Sequence, residues 1–320
     1  MITDFLIFTV GLVVLYFGAD WLIRGAASLA LRFGIRPLVV GLTVIALGTS
    51  MPEFLVNFFA ALSQQEALAL GNIIGSNVCN IALILGLSSL VYPMSVSKGT
   101  LRKEYPIMMG VMLLFYLLAL DGVISRIDGA VLVAGLFAFL MFVVFDARRS
   151  GVSPAVEQIN DAGQEAILLR PWKKVAYLVG GILMLSLGAR LMVDGATSIA
   201  SNMGISPTVV GLTVVAIGTS LPELAASLVC AIKKEADMSV GNVLGSNLLN
   251  VLFVVGLVAL IQPLHVDQQS LDVHFPVMLG FGVLLLPLAW TQYRITRLEG
   301  GVLLTGFVGY LTYLVYPYVA

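Results

Sequence analysis

Residues 41–53 read GLTVIALGTSMPE and residues 211–223 read GLTVVAIGTSLPE, ten identities in thirteen at an offset of 170. At the same offset, GNIIGSNVCN at 71–80 faces GNVLGSNLLN at 241–250, with six identities in ten. Gly18, Gly25, Gly34, Ile35, Pro37, Gly86 and Pro93 also recur 170 positions later. A gap-free pairing of this quality is a duplication, so the fold is expected to consist of two copies of one unit.

That unit belongs in lipid. Of 320 residues, 59% are hydrophobic and 11% are charged, with a mean hydropathy of +1.01, whereas a soluble chain carries roughly a quarter charged residues. The charges cluster between long uncharged runs, each near the ~20 residues that a bilayer-spanning helix needs. The expected class is therefore an all-α polytopic membrane protein with the lipid bilayer as its surroundings. A net charge of -1 argues against nucleic acid or another charged macromolecule as partner, and no protein partner or cofactor is implied. Cys79 and Cys230 lie inside apolar runs, as small hydrophobes rather than a disulfide or metal framework. The first apolar stretch, Phe5 to Ala30, lacks a basic leader and carries Asp20, Trp21 and Arg24 near its end. It is expected to be a retained helix and not a cleaved signal.

Turn and charge signals place ten spans near 5–30, 37–62, 68–92, 104–120, 128–147, 174–199, 207–232, 238–262, 272–290 and 300–317. Residues 1–147 then form a first five-helix repeat, 148–173 a polar cytoplasmic linker and 174–320 a second repeat. With ten spans, one side of the membrane receives fifteen Lys and Arg residues, and the other keeps only Arg126 and Arg190. The positive-inside bias makes the rich side cytoplasmic and puts both termini outside. Five is an odd number, so the second copy enters the membrane from the opposite side to the first. Two inverted repeats imply a pseudo-two-fold axis in the membrane plane, an arrangement suited to exposing one central site to either side in turn.

The most polar residues sit where lipid tolerates them least. Glu53 and Glu223 lie midway along otherwise uncharged helices, where an uncompensated carboxylate costs about 3 kcal/mol or more. Each is either protonated or faces a cation. Pro52 and Pro222 lack the N–H that would bond the carbonyls of Gly48 and Gly218, so helices 2 and 7 are expected to break just before the glutamates. The breaks would free carbonyls near Ala46, Gly48, Ala216 and Gly218 for a cation. Thr49 shares a helical face with Glu53, and Thr219 with Glu223. In the following helices Asn72, Ser76 and Asn80 form a polar stripe, repeated as Asn242, Ser246 and Asn250. Gly71, Gly75, Gly241 and Gly245 supply small faces that let those stripes approach. Such an all-oxygen cage, without imidazole or thiolate, suits calcium, sodium or a similar hard ion.

The paired GTSMPE and GTSLPE segments, each followed by GNxxGSNxxN in the next helix, closely resemble the alpha-repeats of the sodium/calcium exchanger family, in the cation/calcium antiporter superfamily. The resemblance runs nearly the whole length of the chain and is to a small prokaryotic-type member. It implies ten helices with both ends outside and exchange of cytoplasmic Ca2+ for external Na+, while the small size and the absent regulatory domain point to the cell (inner) membrane. By position, Glu53 and Glu223 look like the central ligands of both ions. Thr49 and Thr219 would add oxygens to the Ca2+ site, Ser76 and Ser246 to flanking Na+ sites, with Ser50 and Ser220 close by and Asn80 and Asn250 completing the middle. Some relatives carry aspartate at the Asn250 position, so a stoichiometry that needs a third acidic group is not carried over. The short linker leaves no room for the large regulatory insert of animal relatives.

Plainer readings exist beside these. Asp20–Arg24 and Arg190–Asp194, the same pair with signs exchanged, read as structural ion pairs. Asp121-Gly122 and Asp128-Gly129 read as turns, and Asn72, Asn242, Asn77 and Asn247 as packing or capping groups. Two glutamates can also carry H+, which leaves a proton-coupled Ca2+ antiporter as the alternative. An enzyme would need a nucleophile with a base or an HExxH pair, and neither can be assembled from the sequence.

Overall fold

The computed structural model describes residues 2–33, 35–149, 171–203, 210, 213, 214 and 216–316. In chain order they form α1 (Ile2–Phe33), α2 (Pro37–Val40), a π-helical stretch (Gly41–Ile45), α3 (Ala46–Leu62), α4 (Glu66–Val78), a second π stretch (Cys79–Ile84) and α5 (Leu85–Val91). Next come β1 (Met94–Ser95), α6 (Lys98–Arg102), α7 (Glu104–Ala119), β2 (Val123–Ile124) and α8 (Arg126–Arg149). The second half runs α9 (Pro171–Asn202), α10 (Ala216–Gly218), α11 (Leu221–Ile232), α12 (Ala236–Leu249), a π stretch (Asn250–Val255) and α13 (Gly256–Ile261). It ends with β3 (Leu264–His265), a π stretch (Ser270–His274), α14 (Phe275–Trp290), β4 (Arg294–Ile295) and α15 (Arg297–Val315).

Among the described residues, eight helices are long and apolar enough to cross a membrane, and the helices α7 and α11 are shorter. The expected span 207–232 is described mainly from residue 216 onward, and the expected linker lies outside the described residues between 150 and 170.

Burial sorts these helices into an inner and an outer set. In the most apolar window of Leu68–Val91 and of Ala236–Ile261, 78% of residues are buried, against 33% for Ile2–Ala30 and 28% for Trp172–Asn202. The two GNxxGSNxxN helices therefore stand at the centre of the protein, and α1 and α9 lie outside them. Helix α1 packs against α9 through glycines seven residues apart. A Cβ on Gly11 would come within 2.7 Å of the Met192 nitrogen, one on Gly18 within 2.7 Å of that of Leu185, and one on Gly188 within 2.6 Å of that of Leu15. Rising numbers on one helix meet falling numbers on the other, so α1 and its offset counterpart run antiparallel at backbone contact. The halves also interlock, since Gly86 abuts Gly300 and Leu304 while Gly129 abuts Gly256 and Leu260.

The two small ladders repeat this relation. β1 pairs antiparallel with β4 (Met94 opposite Ile295), and β2 with β3 (Ile124 opposite Leu264). The offset grows to 171 after the fourth span of each half, because the turn Thr291–Tyr293 holds one residue more than Asp121–Gly122. Gly122 takes φ +87 in the shorter turn, whereas Gln292 and Tyr293 adopt φ 56 and 53 in the longer one, a conformation that side chains rarely take.

Two expectations need correction. Helix 2 is not broken at Pro52: α3 runs unbroken from Ala46 to Leu62. A single proline removes one ladder bond, and the bonds on either side carry the helix past it. In helix 7 the interruption is present, with Thr219 and Ser220 in a turn and Pro222 in the first turn of α11, where a missing N–H costs no ladder bond. Gly241 and Gly245 approach helix 2 as expected, their Cβ positions lying 2.4 and 2.5 Å from the carbonyls of Leu38 and Leu42, while the positions that would face Gly71 and Gly75 by the same repeat, 208 and 212, lie outside the described residues. Asp121 accepts from Val123 N in a turn, as expected, whereas Asp128 caps α8 by accepting from both the N–H (2.8 Å) and hydroxyl (2.6 Å) of Ser125. Thr296 and Glu299 form the matching capping box at α15.

Candidate ion-binding site

Helices α3 and α11 each carry one glutamate to the centre, and the inner helices stand against them. Glu53 and Glu223 are 1% and 0% exposed, and Thr49, Ser50, Ser76, Asn80, Ser220, Ser246 and Asn250 are buried with them, while Thr219 is half-buried. Serines from each half serve the glutamate of the other. Ser50 Oγ donates to Glu223 Oε1 at 3.1 Å, and Ser220 Oγ donates to Glu53 Oε1 at 3.3 Å. Ser76 Oγ also donates to Glu53 Oε1 and lies 2.9 Å from Ser220 Oγ. Asn250 Nδ2 then donates to Ser76 Oγ at 3.1 Å and to Asn77 Oδ1 at 3.2 Å.

The threonines are held across the same boundary. Thr219 Oγ1 donates to Asn72 Oδ1 at 2.9 Å, and Thr49 Oγ1 lies 3.2 Å from the Ala46 carbonyl and 3.4 Å from Asn242 Oδ1. The Ala46 carbonyl is thus engaged by a hydroxyl inside a regular helix. Ala216 opens the short α10, and Ser220 N bonds the Ile217 carbonyl (3.0 Å) where a regular helix would have bonded that of Ala216.

What remains unsatisfied is as informative as what is bonded. Among the described residues, Glu53 Oε2, Glu223 Oε2, Asn80 Oδ1, Asn250 Oδ1 and Ser246 Oγ are buried oxygens without a hydrogen-bond partner, drawn from both halves, and Asn80 Nδ2 is unpartnered with them. Buried polar atoms are ordinarily paired, and orphans of this kind call for a reason. Among the described residues neither glutamate has a Lys, Arg or His partner. Two buried carboxylates, with the hydroxyls of Ser50, Ser76 and Ser220 against them, make an environment that a hard cation would satisfy.

Sequence spacing missed two groups and a backbone feature. Asn57 Nδ2 donates to the Glu53 carbonyl at 2.7 Å, and Ser227, its offset counterpart, accepts from Asn242 Nδ2 at 3.0 Å. Both lie four residues beyond a glutamate on the same face, the signal that had picked out Thr49 and Thr219. The π stretches at Gly41–Ile45, Cys79–Ile84 and Asn250–Val255, with π-helical residues again at Thr213 and Val214, run through every helix that bears site residues. Such stretches occur often at functional sites, and no composition cue announces them.

The family model described as "Sodium/calcium exchanger protein" matches residues 3–145 and again residues 173–316. The chain belongs to the sodium/calcium exchanger family. The two matched stretches of this family member begin 170 residues apart, at the offset of its internal repeat. It is 39% identical to the inner membrane protein YrbG of Escherichia coli, covering 97% of this chain and 95% of that one. It is also 31% identical to the sodium/calcium exchanger MaX1 of Methanosarcina acetivorans, over 99% of this chain and 100% of that one. Among solved structures, the sodium-calcium exchanger NCX_Mj superposes with a TM-score of 0.81 at 32% identity, covering 96% of this chain and 97% of that chain. This family member is thus an integral membrane antiporter, and the oxygens gathered around Glu53 and Glu223 are the candidate place for its ions.

Proposed function

We propose that the protein exports Ca2+ in exchange for Na+ by alternating access, binding either ion between Glu53 and Glu223. The observation that carries this reading is that five buried oxygens of site residues, contributed by both halves, have no hydrogen-bond partner among the described residues. Thr49, Thr219, Ser50, Ser220, Ser76, Ser246, Asn80 and Asn250 complete the cage, with the carbonyls of Ala46 and Ala216 at its edge. One divalent cation balances two ionised glutamates. An empty, doubly negative cage is costly to seal within lipid, so each change of side requires a load, and the result is obligatory exchange rather than leak. Sodium is favoured as counter-ion over protons because the relatives MaX1 and NCX_Mj carry sodium and calcium in their names.

Alternating access is supported by the antiparallel contact of α1 with α9 and by the paired ladders, which fit two inverted five-helix halves, residues 1–147 and 174–320. The basic-residue tally orients them with both ends outside and the linker in the cytoplasm of a cell membrane. If a cycle moves one net charge, the membrane potential contributes about 2.3 kcal/mol per 100 mV.

Radioactive Ca2+ flux in proteoliposomes tests the proposal. Uptake is expected to follow an imposed Na+ gradient and to be lost in Glu53→Gln and Glu223→Gln, with both variants retaining wild-type elution on gel filtration. Retained uptake in both would sink the site, and uptake driven by a pH gradient without sodium would sink the choice of counter-ion.

A further inference from the structure

Asn72 and Asn242 stand outside the cage that the resemblance implies, yet their hydrogen bonds share a direction. Asn57 Nδ2 donates to the Glu53 carbonyl at 2.7 Å, so Asn57 Oδ1 is left to accept from Asn72 Nδ2 at 3.3 Å. Asn72 Oδ1 in turn accepts the Thr219 hydroxyl at 2.9 Å. An amide nitrogen can only donate and an amide oxygen only accept, so the first bond sets the sense of the others. The chain begins on the backbone of one half's glutamate and ends on the hydroxyl of the other half's threonine.

The offset counterparts repeat the pattern. Asn242 Nδ2 donates to the Glu223 carbonyl at 3.3 Å and to Ser227 Oγ at 3.0 Å, which turns Asn242 Oδ1 toward the Thr49 hydroxyl at 3.4 Å. Two crossings of the same sense, built from different residues at the 57 and 227 positions, are hard to attribute to packing alone.

We propose that Asn72 and Asn242 are positioning residues for ion binding. Each accepts from a site threonine hydroxyl, Asn242 sharing the Thr49 proton with the nearer Ala46 carbonyl (3.4 against 3.2 Å), so the hydroxyl oxygen turns lone pairs and not a proton toward the cation. Each also ties that oxygen to the backbone of the opposite glutamate, so that ligands from the two halves are placed as one set. This inference rests on the glutamate cage proposed above and assigns its outer support. Replacing such a support typically costs metal affinity about 10- to 100-fold.

The test measures Ca2+ uptake in proteoliposomes by wild type, Asn72→Leu, Thr219→Val and the double variant. Each single change is expected to raise KM for Ca2+ on the order of tenfold with kcat little altered, and the double to be no worse than Thr219→Val alone, because both remove the same oriented oxygen. Additive losses, or a fall in kcat at unchanged KM, would overturn the proposal. Should Asn72→Leu melt early in detergent, Asn72→Ala repeats the cycle with a smaller side chain. Glu53→Gln separates the two readings: if it abolishes uptake while Asn72→Leu leaves KM unmoved, only the positioning role fails; if it retains uptake, the cage itself fails.

Discussion

Ser246 is a single residue at which an ion-ligand role and a structural role make opposite predictions. Its hydroxyl is fully buried and has no hydrogen-bond partner among the described residues. A buried hydroxyl in that state costs about 1–3 kcal/mol. Ser246→Ala is therefore expected to leave the ion-free protein as stable as wild type or more so in detergent melts, while the Na+ concentration for half-maximal exchange rises. A variant that melts lower and keeps its sodium dependence would make Ser246 a packing residue. Other residues were harder to read in sequence. Asp20, expected to pair with Arg24, does so at 2.7 Å but also takes Lys233 at the end of α11, whereas the counterpart Arg190–Asp194 is a loose exposed contact of 3.8 Å. The i, i+4 spacing predicts that such pairs can form. It cannot say which one the tertiary fold will bury.

At the scale of the element, charges at helix ends explain sequence features that looked anomalous. Arg126, one of two basic residues expected on the poorly basic side, donates to the Ile261 carbonyl at 3.2 Å, and its counterpart Arg297 donates to that of Leu90 at 3.0 Å. Both satisfy the free carbonyls at the end of an inner helix. The capping box of α15 is expected to contribute similarly, and Thr296→Ala should destabilise the protein by about 1 kcal/mol in a melt. The two prolines differ in kind. Pro222 begins a helix after a turn, whereas Pro52 lies within one. Pro222→Ala is expected to let α10 and α11 merge and to slow exchange more than Pro52→Ala does, as read from initial Ca2+ uptake rates. Glu66, at the start of α4, accepts from Gln262 Nε2 and from both the backbone and the ring of His265. The bond to the His265 ring holds the Glu66 carboxyl below the usual carboxylate range. A depressed folded-state value adds stability above the ordinary carboxylate range and loses it as pH falls through the lowered one. Wild type is thus expected to melt above Glu66→Gln at neutral pH, with the difference closing in strong acid.

The whole molecule depends on how near α1 and α9 can come. Gly188 faces the backbone of Leu15 and Gly11, with a Cβ position 2.6 Å from the nearest atom. Backbone cannot give way as a flexible side chain can, so Gly188→Val is expected to cost about 1–3 kcal/mol. Gly280, whose Cβ position meets nothing within 4 Å, provides the control. Gly280→Ala should be neutral or stabilise by up to about 1 kcal/mol. Equal melting shifts for the two would show that the antiparallel contact is not close in the folded protein.

The duplication, the membrane class and the residues now gathered at the centre were all legible in the linear chain. Glu53, Glu223 and their neighbours stood out because charge in an apolar run is expensive, and because each appeared twice. Local chemistry of that kind leaves its mark residue by residue. The exchange of serine, threonine and asparagine bonds between halves left no such mark, and neither did the continuity of α3 past Pro52 or the π stretches. Those outcomes depend on which partners arrive from 144 to 193 residues away, and on whether close packing holds a helix that its own sequence would interrupt. Spacing along one helix states which groups share a face. Only the assembled helices decide what that face meets.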